Sequence, residues 1–229
     1  MIARKTHAYL MQAKRLASQR TLTHLLLGCM VVALFLGVAW LVPADKGYNL
    51  LLITLGYLSL LLVGVTLLIG PLNLLRQRRN PVNIYLRRDV GIWAGITGCL
   101  HVILVLRGNI QDGEALLFFL RRETGGYTPL LTLYGLSNDV GLFATLLLLL
   151  LLALSNTLTL RVLKGKRWKL LQRLTYLLII LSVLHTLGFQ LLNLRVPLFF
   201  AGLFVLSALI LACQGLGIAL TLARRKQRW

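Results

Sequence analysis

The chain has 229 residues, of which 58% are hydrophobic and 14% are charged, and its 25 Lys and Arg far outnumber its 6 Asp and Glu. The charged fraction is well below the roughly 25% of soluble domains. The composition therefore excludes an ordinary soluble globular protein and indicates a polytopic membrane protein. The basic residues lie between apolar runs instead of on one soluble face, which argues against nucleic-acid binding.

Six apolar segments are long enough to cross a bilayer core of about 30 Å, which needs roughly 20 helical residues. Their continuous apolar character excludes alternating β-barrel strands, so the sequence predicts an all-α bundle of six transmembrane helices within a domain spanning 22–222. The predicted spans are 22–42, 49–75, 89–106, 136–160, 170–194 and 197–222.

Basic tails are predicted at both ends of the chain, at 1–21 and 223–229. The first lacks the apolar centre of a signal peptide and is expected to lie on the membrane surface. With about seven residues after the last span, no attached nucleotide-binding domain is expected. The three cysteines lie in different spans without CxxC spacing, which predicts neither a disulfide nor a thiolate metal site.

The distribution of Lys and Arg predicts the orientation. Twenty of these residues lie in the tails and in the second-to-third and fourth-to-fifth connections, and five lie on the opposite side. Positive charge accumulates on the cytoplasmic side, so both termini are predicted to be cytoplasmic. The outer connection 107–135 contains the apolar patch ALLFFL, which predicts a short interfacial helix terminated by GGYTP.

Two histidines lie inside apolar spans at matching depth. His101 follows Arg88 by 13 residues, and His185 follows Arg173 by 12. At 1.5 Å per residue, both imidazoles are predicted roughly 18–20 Å from these basic anchors, in the outer half of the bilayer. Polar side chains are rare at that depth. Each histidine could be a hydrogen-bonded packing residue, but two level imidazoles on separate helices are what bis-histidine haem ligation needs, so the iron is predicted to bind His101 and His185.

Small residues accompany both histidines. Gly98 lies one turn before His101 on a face that also carries Ala94 and Gly91, and Ser182 lies one turn before His185. Such residues leave room for a porphyrin edge. The stripe before His101 fits close helix packing equally well.

Two segments resemble the ferric-reductase-like transmembrane domain, a family that includes the membrane parts of ferric reductases, NADPH oxidases and the periplasmic methionine-sulfoxide reductase system. They are RRDVGIWAGITGCLHV (87–102) and LLLALSNTLTLRVLKGKRWKLLQRLTYLLIILSVLH (150–185), and the likeness extends over about 50–215. The resemblance implies electron transfer through b-type haem. Trp93 and Trp168 also match the family pattern, although packing and interfacial anchoring explain both.

Many members of that family hold two haems, using two histidines on each of spans three and five. By that pattern His101 and His185 correspond to the outer pair, and the inner pair falls near Arg87 and at Gln172. A guanidinium has no available lone pair and an amide is a weak donor. One outer haem b is therefore expected, with the inner position lost or filled differently.

Arg107 is a candidate partner for haem propionates, since arginine pairs well with carboxylates. The other outer arginines, Arg121, Arg122 and Arg195, are further candidates, and headgroup contact explains all four equally well. The expected electron donor is a cytoplasmic flavoprotein or a membrane quinol. The expected acceptor lies on the outer side, and the expected location is a bacterial inner membrane.

Two other functions compete with this hypothesis. A degenerate family member without haem would serve as an anchoring or assembly subunit, but both outer histidines are present. A small-solute transporter would need broken helices or buried acids. Asp139 is taken as the sole acid near membrane depth, which argues against transport.

Overall fold

The structure is a computed structural model, which describes residues 2–41, 47–76, 84–110, 120–123, 126–193 and 197–226. Those ranges contain seven α-helices and one antiparallel pair of short strands. In chain order the elements are α1 (Ile2–Leu41), α2 (Gly47–Leu75), α3 (Ile84–Ile110), β1 (Leu120–Glu123), β2 (Gly126–Pro129), α4 (Leu133–Leu154), α5 (Thr157–Leu171), α6 (Leu174–Asn193) and α7 (Pro197–Lys226).

Six of these helices are long and apolar enough to cross a bilayer, which confirms the predicted all-α bundle. Large apolar side chains on their outer faces are exposed, including Leu25 at 62%, Leu146 at 54% and Leu211 at 73%. Lipid tails are the natural neighbours of such surfaces. The candidate spans are Ser18–Val38, Leu50–Leu75, Tyr85–Arg107, Leu133–Leu154, Arg167–Leu192 and Phe199–Ala223.

The first helix is longer than the predicted first span. Its backbone is helical from Ile2 to Leu41 without a break, so the predicted basic tail and the first span form one continuous helix. The apolar part begins at Ser18.

The fourth span is shorter than predicted, because α4 ends at Leu154 and not at residue 160. The Asn156 side chain begins α5 by accepting a hydrogen bond from the amide of Thr159 at 2.7 Å. Asparagine is favoured at this position because its side-chain oxygen satisfies an amide that has no helical partner. The connection after span four is therefore a separate helix, α5, instead of an extended loop.

The connection between α3 and α4 contains a β-hairpin where a short helix was predicted. In the hairpin, Arg121 lies opposite Thr128 and Arg122 opposite Tyr127. Residues 115–119 of the predicted helix lie outside the described part of the chain, but its last residue, Leu120, is in β1. The GGYTP segment does not terminate a helix: its last four residues, Gly126–Pro129, form β2, and Gly126 has a φ of 154° that favours glycine.

The bundle core consists of two helix pairs held together by apolar side chains. The most extensive contacts are between α2 and α3 and between α4 and α6, while α7 packs mainly on α2. Each of the five helices contributes to the core, through side chains that include Leu62, Val63, Ala94, Leu148, Leu178 and Ile210. The helices that carry His101 and His185, α3 and α6, thus belong to different pairs.

An ion pair between a half-buried arginine and a buried aspartate joins α1 to α3 at the end of the bundle that carries most of the arginines, called here the basic end. Arg20 Nη2 lies 2.7 Å from Asp89 Oδ1, and Asp89 is 2% exposed. The prediction that Asp139 is the sole acid near membrane depth is therefore wrong. Asp89 is neutralised by its arginine partner, so it provides no open site for a transported cation.

Candidate functional site

The structure brings His101 of α3 and His185 of α6 together. Their ring centroids are 6.5 Å apart, and the ring planes are nearly perpendicular at 84°. Both side chains are half-buried between the two helix pairs. The equal depth that was inferred from residue counting is thus matched by direct proximity of the imidazoles.

His101 is held by the neighbouring helix α2. Its Nδ1 lies 2.8 Å from the carbonyl oxygen of Leu52. The ring also lies against Gly56, where an added Cβ would be 3.1 Å from both Nδ1 and Cε1. Glycine at this position lets the ring approach the α2 backbone closely enough to reach the carbonyl.

His185 is held in the same way by α4. Its Nδ1 lies 2.7 Å from the carbonyl oxygen of Ser137. A Cβ added at Gly141 would be 2.5 Å from Nδ1 and 2.7 Å from Cε1, so this contact is tighter than the one at Gly56. Phe189 completes the enclosure, with its ring centroid 5.1 Å from that of His185.

The two histidines therefore share one local arrangement. In each case the accepting carbonyl belongs to the residue four positions before the glycine, Leu52 before Gly56 and Ser137 before Gly141, so both lie on one helical face. A carbonyl oxygen can only accept, which means that Nδ1 carries the proton. An imidazole whose proton is on Nδ1 has its lone pair on Nε2, the arrangement that metal-binding histidines commonly adopt.

Sequence reasoning identified the histidines but missed the two glycines that seat them. The sequence does not distinguish these two glycines from the thirteen others that the structure describes, because nothing along the chain pairs Gly56 with His101. The repeated spacing of carbonyl and glycine becomes visible only once the helix pairs are known.

The remaining predicted site residues lie in different surroundings. Gly98 is buried, and an added Cβ there would clash with Leu148 and Ser59, as close helix packing requires. Ser182 is half-buried one turn before His185, and Arg107 is exposed in the last turn of α3. The side chains of Arg121 and Arg122, and all of Arg195, lie outside the described part of the structure.

The two positions that correspond to the inner pair also come together. Arg87 and Gln172 line one cavity at the basic end, with Arg88 and Trp168 in the same lining. The Trp168 indole donates to the carbonyl of Leu154 at 3.0 Å. This bond secures α5 against the end of α4.

A polar network between α1 and α3 at the basic end was also missed. Arg20 and His24 are four residues apart on α1, and they face Asp89 and Trp93, four residues apart on α3. The Trp93 indole donates to His24 Nδ1 at 3.1 Å, so His24 Nε2 carries a proton and lies 3.5 Å from the Asp89 carboxylate. The matching i,i+4 spacings were the available sequence signal.

The chain matches the family described as ferric reductase like transmembrane component over residues 55–183. This range covers more than half of the sequence. The chain belongs to the ferric-reductase-like transmembrane family. His101 lies inside the matched range, and His185 lies two residues beyond its end.

This ferric-reductase-like protein is accordingly an integral, multi-pass membrane protein of the redox and electron-transfer class. A search of curated proteins gives no match. The family and the six spans therefore define the general class of this protein.

Proposed function

We propose that this protein is a membrane electron-transfer subunit that holds one haem b between His101 and His185. It would take electrons from a cytoplasmic flavoprotein or a membrane quinol and pass them to an acceptor on the outer side. Both termini would be cytoplasmic, and the membrane would be a bacterial inner membrane. Bound haem b supplies a one-electron iron couple.

The observation that most supports haem binding is the pair of level imidazoles, whose ring centroids are 6.5 Å apart. Two metal–nitrogen bonds of about 2 Å, together with the half-widths of two rings, give about 6 Å between centroids. With this separation, both imidazoles would be able to hold one iron.

The protein's own contribution is to position the two ligands. The carbonyls of Leu52 and Ser137 hold the proton at Nδ1 and leave the basic lone pair on Nε2. A hydrogen bond of this kind orients a metal ligand and increases its basicity. The surrounding apolar helices exclude water from the imidazoles, and Gly98, Ser182 and Arg107 are the further residues proposed to contact the cofactor.

The proposal is tested by a reduced-minus-oxidised absorbance spectrum of the purified full-length protein, with haem quantified per chain. We expect one haem b in the wild type and its loss in both His101→Ala and His185→Ala. His24→Ala is the matched control, because His24 lies on α1 away from the pair, and it should retain haem.

Other outcomes would contradict the proposal in distinguishable ways. Two haems per chain would require a second ligand set despite Arg87 and Gln172. A folded wild-type protein that binds no haem would favour the anchoring or assembly subunit.

A further inference from the structure

A second site is indicated by the cavity at the basic end. Arg87, Arg88 and Gln172 line it, together with aliphatic, hydroxyl and aromatic side chains from α2 to α6. We propose that this cavity binds a phosphate group, carried by an acidic lipid headgroup or present as the free ion. The inference does not depend on haem binding, because the cavity's donors Arg88 and Gln172 lie 13 residues, or about 20 Å along a helix, before His101 and His185.

Two buried donor atoms in the lining lack an acceptor. Arg88 Nε and Gln172 Nε2 have no hydrogen-bond partner within the described part of the chain. Buried polar groups in folded proteins are nearly always hydrogen-bonded, and an exception commonly indicates a water or ion at the site. Because both atoms belong to side chains that line one cavity, a single ligand can satisfy both.

The other polar groups of the lining already donate elsewhere. Thr66 donates to the carbonyl of Val63 at 2.7 Å, and Thr175 donates to the carbonyl of Gln172 at 2.8 Å. The hydroxyl of Ser155 and the indole of Trp168 likewise donate to backbone carbonyls of α4. The donors that remain for a ligand are those of Arg87, Arg88 and Gln172.

The positive charge of the cavity lining favours a bound anion over bound water. Arg87 and Arg88 bring two positive charges, and no carboxylate among the described residues pairs with either. Asp89 is adjacent in sequence but is already paired with Arg20. Water would satisfy the two donor atoms and leave both charges uncompensated beside apolar side chains, at high cost. An oxyanion supplies acceptors and negative charge together.

The size of the cavity limits the ligand to a compact group. Its free volume is ≈ 40 Å³, and since one water needs about 10–15 Å³ by this measure, about three waters or one phosphate fill it. A porphyrin is too large for this space. The remaining lining is apolar, including Leu148, Leu151 and Leu152, which strengthens any charged interaction inside.

The test uses isothermal titration of inorganic phosphate into the full-length protein, purified in detergent and washed free of lipid. We expect one phosphate per chain. Arg88→Gln should weaken binding about tenfold or more, because it removes a charge-assisted hydrogen bond. The matched control is Arg173→Gln, since Arg173 is exposed and does not line the cavity; its affinity should stay within about twofold.

The source of the phosphate group is distinguished by analysing the protein before the wash. About one acidic lipid per chain, lost in Arg88→Gln and kept in Arg173→Gln, would identify a lipid headgroup. Phosphate without lipid would identify the free ion. Absence of both phosphate binding and retained lipid would overturn the proposal, as would equal weakening in the two arginine variants.

A second variant keeps the test independent of folding defects. Gln172→Glu places a carboxylate inside the cavity, where it can pair with Arg88. We expect this variant to lose phosphate binding and to unfold at a higher temperature than the wild type. Retained binding, or a lower unfolding temperature, would contradict the idea that the cavity lacks negative charge.

Discussion

Replacing Gly141 by alanine tests how the proposed haem ligand is seated. The added Cβ would lie 2.5 Å from His185 Nδ1 and 2.7 Å from Cε1, whereas ordinary carbon contacts are about 3.5–4.0 Å. The imidazole must therefore move by about 1 Å, or α4 and α6 must separate.

The size of the effect follows from the hydrogen bond that this movement breaks. The Nδ1 to Ser137 oxygen distance is 2.7 Å, and a displacement of about 1 Å takes it beyond hydrogen-bonding range. Loss of such an outer partner typically lowers metal affinity 10- to 100-fold. Overpacking adds a destabilisation of about 1–3 kcal/mol.

The assay is titration of haem into the apoprotein, followed by absorbance, together with a thermal unfolding curve. Gly141→Ala should weaken haem binding about 10- to 100-fold, and Gly56→Ala should have a smaller effect because its contact is 3.1 Å. Gly70→Ala is the control, since an added Cβ there meets nothing within 4 Å. Wild-type haem affinity in Gly141→Ala would refute the proposed role of this glycine.

Two further variants test the polar contacts at the basic end, both by thermal unfolding of the purified protein. Asp89→Asn removes the partner of Arg20, which is itself 33% exposed, so a loss of about 1–3 kcal/mol is expected; Asp139→Asn should have little effect, and equal losses would contradict the ion-pair argument. Trp168→Phe removes the donor to the carbonyl of Leu154 and should lower the free energy of unfolding by about 1–3 kcal/mol. Trp93→Phe is the comparison variant, because it removes an indole that donates to the half-exposed side chain of His24. A neutral result for Trp168→Phe would show that the bond does not secure α5.

The spans could be predicted from sequence because crossing a bilayer imposes a minimum apolar length, and the runs of this chain satisfy it. The matching depth of His101 and His185 followed from the same regularity, since a constant rise per residue converts sequence distance into depth. Both inferences use properties of single helices and need no knowledge of which helices are neighbours.

The other features depend on contacts between helices. The seats at Gly56 and Gly141 require the pairing of α2 with α3 and of α4 with α6, which no local pattern states. Asp89 lies at the start of a span, and the sequence does not indicate that Arg20 of α1 pairs with it. The predicted end of span four was wrong because the sequence stays apolar past Asn156. The capping hydrogen bond of the Asn156 side chain begins a new helix there.

The length of α1 has a mechanical consequence. Sixteen residues precede its apolar part at Ser18, and at 1.5 Å per residue they make a rod of about 24 Å that extends past the hydrocarbon. The fixed point of this rod is near Arg20, where it is joined to α3, the helix that carries His101. A protein that docked on the projecting part would therefore act on a lever, and its displacement would be passed through the contacts of Arg20 and His24 with Asp89 and Trp93 to the helix that carries His101.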